Sequence, residues 1–224
     1  MTLSYRRNVT GDMLTVMANR TPFKAAHAAG PDWARAVKTC VESLGVLTAD
    51  HRLGFVYVTE ALAEDLSSVL AFLRQTTKVE HWVGAVGVGV CACGTAYHSG
   101  AALSVMIAAL PSDSFQVMHT IRSEAEVLDV ATQKWLAIGK ASLAVVHGDT
   151  RNGRMPALIN HLAAITGGRL TGGITAVQHG KPQVADSLTG GGGIGCAFAR
   201  RRARHHRTDA RLFPRRAVAR GDRR

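Results

Sequence analysis

The apolar positions of this chain fall into two alternating rhythms. Trp33, Val37, Cys40, Val41 and Leu44 recur at spacings of three and four, one stripe of an amphipathic helix. Gly30-Pro31-Asp32 stands just ahead of them as a helix-start signal. Leu53–Thr59 (LGFVYVT) then breaks the rhythm with an unspaced β-branched and aromatic run, which predicts a buried strand. Leu62, Leu66, Val69, Leu70 and Leu73 restore the helical spacing. Trp82–Val90 predicts a glycine-interrupted strand, with Ala101–Leu110 as its neighbour. With the short apolar run Phe23–Ala29 in front, the first half reads β-α-β-α-β-β.

The second half repeats part of that order. Ser123–Ile138 is expected to be helical, with Val127, Val130, Ala131 and Trp135 near one face. Ser142–His147 (SLAVVH) predicts a buried strand, Pro156–Ile165 a helix opened by proline, and Leu170–Val177 (LTGGITAV) and Gly190–Ala199 two more glycine-rich strands. Two strand–helix–glycine-strand units thus lie about ninety residues apart, which suggests duplicated halves. The alternation predicts an α/β fold, mixed β-sheets with packed helices in a layered sandwich.

Charge changes the picture only at the C-terminus. The whole chain carries 27 Lys and Arg against 16 Asp and Glu. Eleven of those arginines, with only Asp209 and Asp222 against them, lie between Arg200 and Arg224, so residues 1–199 have 16 basic and 14 acidic side chains. The basic balance belongs to the tail and is no argument for specific nucleic-acid binding by the rest. Hydrophobic residues make up 46% and charged residues 19%, a globular composition that excludes wholesale disorder. The nearly charge-free run from Trp82 to Leu110 is long enough for a bilayer, but TAYHS at its centre and its glycines favour soluble strands over a membrane span. Four cysteines and the absence of a secretory leader pattern place the chain in a reducing compartment, the cytoplasm.

The order FKAAHAAGPDWARAV, LGFVYVT, HWVGAVGVGVCACGTAYHSGAALSVMIAALP, then LAVVHGD, PALINHL and LTGGITA resembles the FIST N sensory domain over residues 23–199. Its most specific part is the glycine-rich strand leading into CGTAYHSGAALSVM. The resemblance implies a small-molecule ligand, a signalling partner protein, haem among the family's ligands, and no enzyme activity. It also implies a FIST C domain after Ala199, where the chain instead turns into Arg/Ala/His/Pro text. Residues 1–22 are accordingly read as an N-terminal extension, 23–199 as the domain, and 200–224 as a disordered or out-of-frame tail of a truncated product.

The candidate ligand-binding residues are Gly84, Gly87, Cys91, Cys93, His147, Gly172 and Gly173. The glycines permit close backbone packing and equally permit a ligand to approach the backbone. Cys91 and Cys93 on one strand would share a face, yet small cysteines in a Gly/Ala/Val strand are ordinarily core filler, and no metal site is assigned. His147 closes a buried strand at its C-terminal end, where open α/β sheets place ligands. His147 with Asp149 could instead serve a hydrolase as an acid–base pair, with Asp149 otherwise a loop cap. If haem were bound a histidine would be its axial ligand, His27 no less than the others. The Arg-rich tail supports a third reading, a non-specific nucleic-acid binder.

Overall fold

The computed structural model describes residues 22–139, 141–167, 169–175 and 182–199. The tail from residue 200, and the N-terminal extension apart from residue 22, lie outside them.

The first half runs β1 (Phe23–Gly30), α1 (Trp33–Leu44), β2 (His51–Thr59), α2 (Leu66–Thr77), β3 (His81–Gly87), β4 (Val90–Ala92), β5 (Thr95–Tyr97) and β6 (Ala101–Ala109). The second half runs β7 (Phe115–Ile121), α3 (Val130–Ile138), β8 (Ala141–Asp149), α4 (Met155–Thr166), β9 (Arg169–Thr175), β10 (Gln183–Ala185), β11 (Ser187–Thr189) and β12 (Gly193–Ala199). Asp32 starts α1 as its N-cap, its carboxylate accepting from Arg35 N at 2.8 Å, and Asp129 does the same for α3 through Thr132 N at 2.9 Å.

One sheet has the order β1-β6-β2-β3-β10-β11 and the other β7-β12-β8-β9. In both, the first strand is antiparallel to the last of its half, that strand is antiparallel to the next, and a parallel pair joined by a helix follows. The two halves therefore carry the same topology. LGFVYVT (53–59) and LAVVHGD (143–149) occupy matching strands ninety positions apart. Polar side chains at their ends do the same job: Thr59 Oγ1 donates to Gly100 O at 2.7 Å, and Asp149 accepts from Gly191 N at 2.8 Å. The hairpins differ. β10–β11 of the second half crosses over to pair with β3, while β4–β5 forms a two-stranded ribbon of its own.

The layers stack helix, sheet, sheet, helix. Alternate residues of β2 show why, since Val56 and Val58 pack among α1 and α2, while Leu53, Phe55 and the half-buried Tyr57 face the other sheet. Phe115, Val117, Ile194 and Cys196 answer them from β7 and β12. Beyond that second sheet, Met155, Leu158 and Leu162 of α4 cover Ala144, Val146 and Ala197.

Several sequence expectations need correction. β3 stops at Gly87, and Val90–Tyr97 folds as the β4–β5 hairpin. β6 does not neighbour β3, because β2 lies between them. The helix expected over Ser123–Ile138 occupies only Val130–Ile138. Val127 and Val130 are exposed, so the stripe they appeared to form is not an apolar face. The strand β7 has no counterpart in the sequence reading. Cys93 is not in a strand: it opens the β4–β5 turn with φ 49°.

Gly84 and Gly172 hold corresponding places in the two parallel pairs, opposite Val56 and Val146. A Cβ on Gly84 would lie 1.8 Å from Val56 O, and one on Gly172 would lie 1.9 Å from Val146 O. Gly172 also has φ 128°, a backbone that L residues rarely adopt. At Gly173 nothing stands within 4 Å of an added Cβ. Gly84→Val should therefore cost about 3 kcal/mol or more, since backbone must move, and lower the melting temperature by roughly 6–12 °C. Gly173→Val should unfold within a few degrees of the parent. Thermal denaturation of both variants checks the pair; a wild-type melting temperature for Gly84→Val would contradict the packing.

Candidate functional site: a cleft at the strand ends

The C-terminal ends of the two parallel pairs, β2–β3 and β8–β9, meet at one cleft of about 450 Å³. One wall is the chain leaving β3, from Ala85 to Cys91; the opposite wall is Gly172–Thr175 of β9; Tyr57 and His147 complete the lining. Five sequence candidates come together here: Gly87, Cys91, His147, Gly172 and Gly173. Two do not. Gly84 serves the strand contact with Val56, and Cys93 is exposed in the hairpin turn.

Tyr57 is the lining residue that sequence reasoning missed. Its Oη lies 2.9 Å from Nε2 of His147, with the two rings tilted at 51°. The signal was available in the repeat, because aligning LGFVYVT on LAVVHGD sets Tyr57 over His147. Both side chains point to the inner face of their sheets, so matching positions of the two halves meet. Burial lowers the His147 pKa to about 4 and raises that of Tyr57, so both groups stay neutral around pH 7. His147 Nδ1 is buried with no hydrogen-bond partner, and Gln183 Nε2 donates to the His147 carbonyl at 3.4 Å.

Asp149 does not pair with His147. Arg151 grips its carboxylate with Nη2 at 2.7 Å and Nε at 3.1 Å, and Gly191 N donates at 2.8 Å. Burial pushes the Asp149 carboxyl up, but these hydrogen bonds outweigh it and hold it below the usual range. Cys40 and Cys196 are buried in the core, and burial raises the Cys40 thiol to about 12.

Haem iron takes an imidazole nitrogen, a phenolate, a thiolate or a thioether, and the lining of this cleft offers His147, Tyr57 and the Cys91 thiol. His147 spends one nitrogen on Tyr57 and buries the other, while burial disfavours the Tyr57 phenolate. Among the described residues no lysine or arginine lines the cleft to meet the propionates. His27 is engaged elsewhere, its Nδ1 2.7 Å from Tyr97 Oη. The described residues contain no cluster of three or more metal-ligating side chains.

Residues 52–207 match the family model of the FIST N domain. The chain belongs to the FIST family. FIST domains are sensory, ligand-binding domains of signal-transduction proteins. The FIST match begins at β2, so β1 and α1, which complete the first repeat, precede it. No curated protein matches the chain. A solved structure, cyanuric acid hydrolase from A. caulinodans, aligns with 80% of this FIST chain and 72% of its own at 12% identity and a TM-score of 0.35. No helix among the described residues is long and apolar enough to cross a membrane.

Two histidines of this FIST domain give its stability opposite slopes with pH. His147 has a depressed folded pKa, so its contribution is complete above the ordinary value of 6.5 and is lost as pH falls toward about 4. The full loss is about 3 kcal/mol. His81, held by the Asp186 carboxylate at 3.0 Å, has a raised pKa. Its contribution is complete below 6.5 and is lost as pH rises through the raised value. Urea unfolding across pH 4–8.5 should show a stability maximum near pH 6.5. In His147→Gln the decline between pH 6.5 and 4 should shrink, and an unchanged acid limb would refute the assignment.

Proposed function

We propose that this protein is a non-enzymatic sensory module that binds a small molecule in the cleft between the β3–β4 segment and β9, and reports occupancy to a signalling partner. The observation that carries this is the convergence of Gly87, Cys91, His147, Gly172 and Gly173 on one cleft, with a buried Tyr57–His147 pair in its lining. The site lies at the C-terminal ends of both parallel pairs, where α/β sheets collect ligands. Four free cysteines support a reducing, cytoplasmic setting.

The hydrolase reading would need a nucleophile within hydrogen-bond reach of His147. The neighbour at that distance is the Tyr57 phenol, and Asp149 is committed to Arg151 and Gly191. These contacts support binding over turnover.

A thermal-shift screen of amino acids and small metabolites against the full chain tests the reading. A ligand at a hundredfold excess over Kd stabilises by about 2.7 kcal/mol, a shift of roughly 5–10 °C. Gly173→Trp, whose side chain has room to enter the cleft, should keep the fold and abolish the shift. A shift that survives Gly173→Trp would move the ligand elsewhere, and a screen without hits would defeat the proposal.

A further inference from the structure

The Tyr57–His147 contact can be made with either proton arrangement, and burial decides between them. If Tyr57 donated to Nε2, the neutral imidazole would carry its proton on Nδ1. Nδ1 is buried and has no acceptor, so that form orphans an N–H. An orphaned buried donor costs more than an unused lone pair, and such donors are rare in folded proteins. The proton therefore sits on Nε2 and is donated to Tyr57 Oη over the 2.9 Å contact. The phenol oxygen accepts, which leaves its own proton free, and Tyr57 is half-buried in the lining of the cleft.

We infer that Tyr57 is the ligand-recognising donor of the cleft, that His147 is its positioning residue, and that the ligand presents an uncharged carbonyl-type acceptor to the phenol. Ala85, Val88, Val90 and Ile174 line the same cleft as the phenol, together with Cys91 and Thr175. A carboxylate placed on the phenol would meet no lysine or arginine among the lining residues, so its charge would be left without a cationic partner. An amide or ketone oxygen loses little on entering and gains a hydrogen bond already aimed. The same surroundings raise the Tyr57 pKa, so the donor keeps its proton. This rests on the cleft being the ligand site.

Two measurements on the full chain separate the parts. The first needs no ligand: long-range ¹H–¹⁵N correlation of the histidine side chains at pH 7 should show His147 as the Nε2–H tautomer. An Nδ1–H tautomer would overturn the positioning role whatever the cleft binds. The second uses matched probes, nicotinamide against nicotinate and benzamide against benzoate, followed by amide shifts of Gly87 and Gly173. The amides should bind at least tenfold more tightly than their carboxylates. Tyr57→Phe, which keeps the ring, should weaken the amides by roughly three- to tenfold. Carboxylates binding as well as amides, or amides indifferent to Tyr57→Phe, would overturn this inference and leave ligand sensing in place. If no probe shifts Gly87 or Gly173, the inference fails together with the reading on which it rests.

Discussion

β2 is covered on both faces, by helices on one and by the second sheet on the other, and the geometry of the cleft follows from that constraint. A strand buried on two sides cannot spend alternate positions on solvent, so β2 carries the unbroken run Leu53–Val58, and β8 the shorter run Leu143–Val146. Polar groups inside such a stack are admissible only where they find partners. The inner layer between the sheets is apolar across Leu53, Phe55, Val83, Val117 and Ile194. It turns polar at one end, where Tyr57 and His147 share one hydrogen bond and His147 Nδ1 stays without a partner. The candidate cleft opens at that end.

The duplication explains why two polar side chains meet there. Tyr57 and His147 occupy matching positions of the two halves, and each lies near the end of a strand whose parallel partner carries a glycine opposite the residue just before it. A single set of backbone contacts, made twice, brings two strand ends face to face. The chemistry comes from the one place where the halves differ usefully: a phenol and an imidazole form a donor–acceptor pair with a definite direction.

The fold was largely legible because the helices obey their spacing and the buried strands are unbroken apolar runs. Phe115–Ile121 was not, since FQVMHTI faces two cores at once and shows neither clean alternation nor an apolar block. The short strands of β10–β11 were hidden for a different reason. Three residues carry no periodicity, and their place beside β3 depends on tertiary pairing and on Asp186, whose carboxylate accepts from Trp82 N at 2.9 Å. Of the glycines singled out in the sequence, Gly87, Gly172 and Gly173 line the cleft, whereas Gly84 belongs to the strand contact, and the β2 pattern presents Tyr57 as one more core aromatic.

One consequence concerns the border of the second sheet. β3 is covered by β10, whereas among the described residues β9 is the last strand of its sheet. A bare strand edge is a template on which other chains can grow, and proteins that leave one exposed must spoil its regularity. Gly172 supplies an irregularity: its φ of 128° is a conformation that L residues rarely adopt, although the pairing with β8 keeps its register through it. The residue that lets two strands touch inside the molecule also makes its outer margin a poor seed for aggregation.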